Sequence, residues 1–186
     1  EYGRSRAAVV GEENVFDYSL GNPSIPTPPE VNRAVEEILR DTPSLLVHGY
    51  TSAVGDQAAR QAIADDLNRR YNADCRAEEF FLGCGAAPEL AAVFAALAVP
   101  EGELVVIAPY FPEYKVFAQG AGLKFREVAP DVPDFQIRLE AVEAMLTPHT
   151  QAVLINSPNN PSGVVYTRQT LRALADLLGR KSREFG

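Results

Sequence analysis

The stretch Asn156-Ser157-Pro158-Asn159-Asn160-Pro161-Ser162-Gly163 joins two contrasting sequence patterns. An apolar run at residues 152–155 precedes it, and apolar residues at helical spacing follow it at residues 167–180. The run predicts a buried strand and the periodic segment predicts a helix. Asparagine, proline, serine and glycine are common in turns for structural reasons alone. A turn at the carboxyl end of a strand is, however, also where open α/β sheets bind their ligands.

Two further turns have a similar position. The glycine turn Gly83-Cys84-Gly85-Ala86-Ala87 follows a strand-like run at residues 80–82, and the aromatic turn Pro109-Tyr110-Phe111-Pro112 follows β-branched residues at 104–107. Carboxyl ends of parallel strands meet at one edge of a sheet, where a single crevice can use all three turns. The three turns together therefore define the candidate site.

Predicted strands and helices alternate along most of the chain, with short glycine and proline turns between them. We predict strands at residues 80–82, 104–107, 123–128 and 152–155. We predict helices at residues 28–40, 56–71, 88–98, 113–120, 139–146 and 167–180. This alternation is typical of the α/β class, with a mostly parallel sheet and right-handed crossovers. We expect a three-layer α/β/α arrangement with helices on both faces of the sheet.

The N-terminal third is less regular. We interpret residues 1–16 as a mobile arm or the stub of an earlier helix, and residues 16–20 as a short extended segment. Prolines are too dense in residues 21–29 for a regular element, so this segment is either a linker or the wall of a pocket. Residues 45–50 form a short apolar run into a loop.

The first two long helices show apolar residues at helical spacing, which predicts one buried face on each. In the first helix these residues are Val31, Val35, Ile38 and Leu39. In the second they are Ala59, Ile63, Leu67 and Tyr71.

Composition excludes several classes of protein. The chain has 186 residues, 46% of them hydrophobic and 23% charged, as in an ordinary globular domain. A net charge of −8 disfavours a nucleic-acid partner. The longest apolar stretch, residues 90–99, is too short to cross a membrane. Cys75 and Cys84 form neither a disulfide framework nor a metal-binding pattern, so we expect a reduced, cytoplasmic protein without a metal.

Each turn can perform a distinct binding task. The glycine turn can present backbone N–H groups at the positive end of a helix, which suits a phosphate. Phe111 can stack on a planar cofactor ring. The amide of Asn160 can donate to a phenolate oxygen of such a ring, and a cis peptide before Pro161 would direct that side chain sharply.

The glycine turn also resembles the loop of nucleotide-binding methyltransferases and dehydrogenases. Those folds place a carboxylate at the end of the next strand, where it holds ribose hydroxyls. Here that strand ends in Ile107-Ala108-Pro109, without a carboxylate. A nucleotide-binding, methyltransferase-like domain is therefore an alternative that the sequence disfavours.

Taken together, the three turns resemble the class I/II aminotransferases, the pyridoxal-phosphate enzymes of fold type I. The resemblance runs from Ser19-Leu20-Gly21-Asn22-Pro23 to Gly163. Its most specific part is Asn160-Pro161-Ser162-Gly163, in which the family more often has threonine at the position of Ser162. The resemblance implies amino-group transfer between an amino acid and a 2-oxo acid.

The resemblance also implies a role for particular residues. The phosphate-binding turn would comprise Gly85, Ala86 and Ala87, without the hydroxyl or lysine often found there. Phe111 would stack on the pyridine ring, and Asn160 would contact the ring hydroxyl. Tyr50 would reach the phosphate of the neighbouring subunit, which implies a homodimer. The substrate would lie near Gly21, Ser24 and Ile25.

The family's Schiff-base lysine, its carboxylate for the pyridine nitrogen and its arginine for the substrate carboxylate follow the last strand seen here. We interpret Lys115, Lys124 and Lys181 as solvated lysines. We therefore expect an N-terminal fragment without catalytic residues or transaminase activity of its own. Residues 1–47 would form an arm and part of the small domain, and residues 48–186 part of the large cofactor-binding domain.

Several alternatives stay open at this point. A pyridoxal-phosphate β-lyase or a cyclopropane-forming synthase shares the same turns. A non-catalytic half-protein that binds a partner or a phosphorylated ligand is also compatible with the sequence.

Overall fold

The computed structural model describes residues 2–16, 21 and 25–186. The chain divides into two compact units, Glu1–Ala53 and Val54–Gly186. Within the described residues, no helix combines the length and apolarity needed to cross a bilayer.

The first unit is helical. It contains α1 (Tyr2–Val10), a 3₁₀ turn (Glu12–Asn14), α2 (Pro29–Asp41) and α3 (Ser44–Val47). The predicted helix stub thus exists as α1, whereas most of the predicted extended segment, residues 17–20, lies outside the described residues. The apolar run at 45–50 begins as the short helix α3 rather than as a loop.

Helix α2 confirms the predicted helix but not its burial. Proline is tolerated in the first turn because N–H groups there lack intrahelical partners, and α2 has Pro29 in that position. The predicted apolar face is 48–58% exposed in the structure. It consists of Val31, Val35, Ile38 and Leu39.

The second unit alternates helices and strands. Its elements are α4 (Gln57–Tyr71), a 3₁₀ turn (Ala77–Glu79), α5 (Ala86–Leu97), β1 (Glu103–Ile107), α6 (Glu113–Gly120), β2 (Lys124–Val128), α7 (Leu139–Met145), β3 (Thr150–Leu154) and α8 (Arg168–Phe185).

The three strands form a parallel sheet in the order β2-β1-β3. Leu104 of β1 is paired with Phe125 of β2 and with Ala152 of β3. All five residues of β1 are buried, and the continuous apolar run at residues 104–107 predicts this for four of them. Strand β2 pairs with one neighbour among the described strands and is partly exposed, in agreement with its alternating sequence.

Helices cover both faces of the sheet, which confirms the three-layer prediction. On one face, Val105 and Ile107 of β1 pack in a cluster with Val142 of α7 and Leu174 of α8. On the other face, Leu104 and Val106 pack with residues of the two helices that flank β1, namely Phe94 of α5 and Ala118 of α6. Successive side chains of β1 therefore serve opposite layers of the core.

The predicted strand at residues 80–82 is wrong. This segment is irregular and leads from the 3₁₀ turn Ala77–Glu79 to the glycine turn. Its backbone bonds are isolated ones: the N–H of Phe80 donates to the carbonyl of Ala77 at 3.3 Å, and the N–H of Leu82 donates to the carbonyl of Val54 at 3.1 Å. A strand needs a ladder of such bonds, and no described strand pairs with this segment.

The predicted buried stripe of α4 is also wrong. The buried residues are Arg60 and Ala64, whereas Ile63 is 37% and Tyr71 64% exposed. Arg60 turns inward because its guanidinium finds polar acceptors, donating to the carbonyl of Ala77 at 2.9 Å among others. A buried charge is tolerated when its hydrogen bonds are satisfied in this way.

Candidate functional site

The turn at residues 156–163 follows β3 and is shaped by hydrogen bonds of its own. The N–H of Asn160 donates to Oδ1 of Asn156 at 2.9 Å, and the N–H of Gly163 donates to the carbonyl of Asn159 at 2.7 Å. Gly163 has a φ of +72°, a conformation that favours glycine. The Asn160–Pro161 peptide is cis.

The side chain of Asn160 remains free for a ligand. Asn160 is exposed, and its side-chain amide has no hydrogen-bond partner among residues 2–16, 21 and 25–186. Its backbone is nevertheless fixed by Asn156. This combination of a held backbone and an unoccupied amide suits a residue that must donate to a bound group in one direction.

The turn at residues 109–112 follows β1, the strand next to β3. The ring of Phe111 is half-buried and packs edge-on against Tyr114, with 5.6 Å between ring centroids. This contact supports the ring from one side. The carbonyl of Phe111 accepts the N–H of Tyr114 at 3.1 Å, so this turn leads directly into α6.

Tyr110, beside Phe111, has a structural role. Its ring lies 5.1 Å from that of Phe125, and its hydroxyl donates to Glu127 at 2.8 Å. Burial, together with the Glu127 carboxylate, raises the pKa of the Tyr110 hydroxyl. Tyr110 thus anchors the turn to β2 and leaves Phe111 as the aromatic residue available to a ligand.

The glycine turn, residues 83–87, ends at the start of α5. Gly85 precedes the helix with φ +113° and ψ 167°, a conformation that is essentially restricted to glycine. Gly85, Ala86 and Ala87 are exposed, and no side chain caps the helix. The N–H groups in the first turn of a helix have no intrahelical acceptor and carry partial positive charge. They therefore form an open set of donors for an anion.

One acidic side chain lies close to this turn. A Cβ built on Gly83 would overlap the Glu89 carboxylate, so this carboxylate packs against the glycine backbone. The turn itself contains neither lysine nor arginine. Backbone donors must therefore supply the binding energy for any anion here, in the presence of a nearby carboxylate.

The structure joins two of the three turns directly. The side-chain Nδ2 of Asn159 donates to the carbonyl of Pro109 at 2.9 Å. This bond brings the turn that carries Asn160 against the turn that carries Phe111. The glycine turn lies on the same side of the sheet as α6, because Leu90 of α5 packs in the cluster that also includes Tyr114.

Asn159 is the site residue that the sequence analysis missed. It is 7% exposed, one of few buried polar residues in the described chain. A signal was present, since Ser162 follows it at the spacing of a side-chain bond within a turn, and the two side chains do bond at 2.8 Å. Its bond to Pro109, 50 residues away, has no signature in the sequence.

The lysines lie outside the three turns, as predicted, but one of them is not solvated. Lys115 and Lys124 are exposed, and Lys124 pairs with Glu101. The side chain of Lys181 is only 18% exposed and pairs with Glu143 at 3.4 Å. It lines a cavity of about 380 Å³ between β3 and α8.

The other residues with a proposed role belong to the first unit. Tyr50 is fully exposed and Ile25 is 84% exposed. Gly21 is exposed, and a Cβ added to it would meet no atom within 4 Å. Ser24 lies outside the described residues.

Comparison with known proteins identifies the family. Residues 13–183 match the family model for aminotransferases of class I and II. The chain belongs to the class I and II aminotransferase family. It is 34% identical to the aspartate aminotransferase of Thermotoga maritima over 96% of this chain and 47% of that protein. It is 32% identical to an S-alkyl-thiohydroximate lyase of Arabidopsis thaliana over 79% of this chain and 31% of that protein.

A solved structure shows the same architecture. An aminotransferase from Eubacterium rectale superposes with a TM-score of 0.97 at 49% sequence identity, over 100% of this chain and 47% of its own. The fold is therefore that of the N-terminal part of a fold type I enzyme. The chain spans about half the length of the relatives that it matches.

Class I and II aminotransferases are pyridoxal-phosphate enzymes. The donor chemistry of this chain is compatible with that cofactor. The uncapped start of α5 offers N–H donors to a phosphate, and the small residues Gly85, Ala86 and Ala87 permit its close approach. At the adjoining pair of turns, Phe111 offers an aromatic face and Asn160 an unoccupied amide.

Proposed function

We propose that this chain contributes the phosphate-binding and ring-binding turns of a pyridoxal-phosphate-dependent aminotransferase. The observation that carries the proposal is the bond from Asn159 to Pro109, because it joins the turn of Phe111 to the turn of Asn160 at the carboxyl edge of β1 and β3. Such an edge is where α/β sheets bind ligands. Family membership supports the same assignment.

The proposed roles follow from the chemistry of each residue. The N–H groups of Gly85, Ala86 and Ala87 bind the phosphate. Phe111 stacks on the pyridine ring and restricts its tilt, and Asn160 donates to the ring oxygen and fixes its rotation. When bound, the cofactor would supply an aldehyde carbon that accepts the substrate amino group and a ring that withdraws electrons from the substrate carbon next to that group.

The substrates would be an amino acid and a 2-oxo acid, with Gly21, Ser24 and Ile25 on the substrate side. Tyr50 would bind the phosphate held by the neighbouring subunit of a cytoplasmic homodimer. Residues 1–47 would form the arm and part of the small domain, and residues 48–186 part of the large domain. This division lies close to the boundary between the compact units at Ala53.

A binding comparison tests the proposal. The 186-residue chain is titrated with pyridoxal phosphate and with pyridoxal, which lacks the phosphate, by equilibrium dialysis. We expect pyridoxal phosphate to bind about tenfold more tightly, since charge-assisted hydrogen bonds are each worth about 1.5–3 kcal/mol. Equal affinity for the two compounds, or tight binding of a nucleotide cofactor instead, would contradict the proposal.

The chain itself is expected to have no transaminase activity, because none of its lysines lies in the three turns. Pyridoxal-phosphate absorbance that survives dialysis and is fixed to one lysine by borohydride would overturn this expectation. The comparison of pyridoxal phosphate with pyridoxal does not depend on this expectation, because the N–H donors of α5 bind a phosphate without a lysine.

A lyase is the second candidate, favoured by the similarity to the S-alkyl-thiohydroximate lyase. The two reactions differ in their products. The protein expressed from the native coding frame is given an amino acid with a β-thioether, together with a 2-oxo acid. Conversion of the 2-oxo acid to an amino acid indicates a transaminase, and release of a thiol with ammonia indicates a β-lyase.

A further inference from the structure

We propose that Asn159 is a positioning residue of this site, whose buried amide holds the turn of Asn160 in register with the turn of Phe111. The inference rests on the proposed function, since the task of Asn159 is to support the two residues that would bind the ring. Asn159 does not act on the ligand itself, because it is 7% exposed.

The side chain of Asn159 uses both of its N–H donors. Nδ2 donates to the carbonyl of Pro109 at 2.9 Å and to Oγ of Ser162 at 2.8 Å. The second bond lies within its own turn, whereas the first leaves it. A side chain that served only to shape residues 156–163 would need no partner in another turn.

The backbone of Asn159 is fixed as firmly as its side chain. Its N–H donates to the carbonyl of Val164 at 2.9 Å, and its carbonyl accepts the N–H of Gly163 at 2.7 Å. Oγ of Ser162 also accepts the N–H of Val164 at 3.3 Å. Asn159 therefore cannot reorient without disrupting the whole turn, so a displacement of Pro109 is transmitted to it.

The hydrogen bond from Asn159 to Pro109 lies next to both proposed ring-binding residues. Pro109 lies two residues before Phe111, and Asn159 directly precedes Asn160. A single amide thus links the backbones that carry the proposed stacking ring and the proposed ring-oxygen donor. Small errors in the relative position of two binding groups reduce binding strongly, so this link is where their geometry is set.

Three variants of the 186-residue chain separate this role from a general effect on folding. Asn159→Asp keeps the shape of the side chain but replaces its N–H donors with a carboxylate that cannot donate. Asn159→Ala removes the side chain. The control Ser157→Ala lies in the same turn and removes the acceptor of the Tyr166 N–H, without a contact to Pro109.

Amide hydrogen exchange measures the coupling between the turns. The reporter in the second turn is the N–H of Tyr114, which donates to the carbonyl of Phe111. We expect both Asn159 variants to exchange this amide about tenfold faster than wild type, from the loss of roughly one buried hydrogen bond. Ser157→Ala should accelerate exchange of the Tyr166 amide alone. The amide of Val105 in β1 should stay protected in every variant.

Two outcomes would overturn the inference. If Tyr114 exchanges at the wild-type rate in Asn159→Asp, the bond does not couple the turns. If amide exchange at Tyr114 and at Val105 accelerates by the same factor, Asn159 acts only through global stability.

Binding of pyridoxal phosphate to the same proteins connects the coupling to the ligand. We expect Asn159→Asp to bind it about tenfold more weakly than wild type, and Ser157→Ala to bind it equally well. Equal affinity of wild type and Asn159→Asp would refute the positioning role. If wild type itself does not bind pyridoxal phosphate, the proposed function fails, while the exchange data still decide whether Asn159 couples the turns.

Discussion

The pair of turns at 109–112 and 156–163 and the glycine turn at 83–87 are built in different ways. The pair follows two neighbouring strands of the sheet and is held by side-chain hydrogen bonds, including the one from Asn159 to Pro109. The glycine turn follows an irregular segment, is exposed, and has no side-chain cap. The pair of turns presents side chains on a backbone fixed by hydrogen bonds, and the glycine turn presents backbone N–H groups.

This difference corresponds to two binding tasks. A planar ring must be held in one orientation, so the residues around it need a rigid support. A phosphate is nearly symmetric and accepts hydrogen bonds from many directions, so open N–H groups at a helix start are sufficient. The comparison predicts that the pair of turns resists local perturbation, whereas the glycine turn depends on its backbone conformation and on the segment before it.

The largest expected effect is on the free energy of unfolding, and it comes from the residue that supports the segment before the glycine turn. Arg60 is buried and donates to the carbonyls of Ala77 and Gly55 and to Oε1 of Gln57. Arg60→Met keeps a long apolar stem but leaves these acceptors without a donor. We expect a loss of about 2–3 kcal/mol in the free energy of unfolding, measured by urea denaturation, because buried unsatisfied groups are costly.

The matched control is Arg69→Met on the same helix. Arg69 is exposed and pairs with Asp66 at the surface, so its replacement should change the free energy of unfolding by less than about 0.5 kcal/mol. Equal effects of the two variants would show that Arg60 contributes no more than a surface charge.

A smaller effect is expected at the glycine turn itself. Gly85→Ala places a Cβ on a backbone with φ +113°, although no neighbouring atom lies within 4 Å of it. The cost should therefore come from the backbone alone and amount to about 1–2 kcal/mol in the free energy of unfolding. Affinity for pyridoxal phosphate should fall as the N–H groups of α5 shift.

Gly120→Ala provides the control, because this helical glycine also has no atom within 4 Å of an added Cβ. It should stabilise the chain by up to about 1 kcal/mol and leave ligand affinity unchanged. Stabilisation by both alanines would mean that residue 85 does not need its positive φ.

The smallest effect is on the pH dependence of the free energy of unfolding. It should leave the exchange protection of the turns unchanged. Hydrogen bonds from Arg180 and then Lys181 hold the pKa of Glu143 below its ordinary value of 4.5. A depressed pKa contributes stability above the unfolded value that is lost as the pH falls through the folded value. Glu143→Gln should therefore flatten the decline in stability below about pH 5.

Glu140→Gln on the same helix is the control, because Glu140 forms no ion pair with the described residues. The bonds between the turns join neutral groups, so the exchange protection of Tyr114 relative to Val105 should be the same at pH 7 and pH 5. An acid-induced loss of that relative protection would show that a titrating group supports the turns, and the Glu127 carboxylate that accepts the Tyr110 hydroxyl would be the first to replace.

Local sequence determined much of the fold. The continuous run Leu104-Val105-Val106-Ile107 predicts the central strand, because a strand covered on both faces needs apolar residues on both. The alternating residues of β2 predict its partial exposure in the same way. These predictions hold because each depends on the surroundings of one segment.

Predictions that depended on distant partners were less reliable. Residues 80–82 have strand composition but no ladder among the described strands, and composition cannot reveal the missing neighbour. Arg60 was not among the residues predicted for the buried face of α4, yet acceptors up to 17 residues away allow its burial. The role of Asn159 depends on a carbonyl 50 residues away, which only the fold brings into reach.

The most direct test of the central claim is a titration of the ¹⁵N-labelled chain with pyridoxal phosphate, followed by amide chemical shifts. We expect the resonances of Ala86, Ala87, Phe111 and the side-chain amide of Asn160 to shift together along one binding isotherm. Separate isotherms for the glycine turn and the pair of turns, or shifts confined to the cavity beside Lys181, would contradict a single cofactor site.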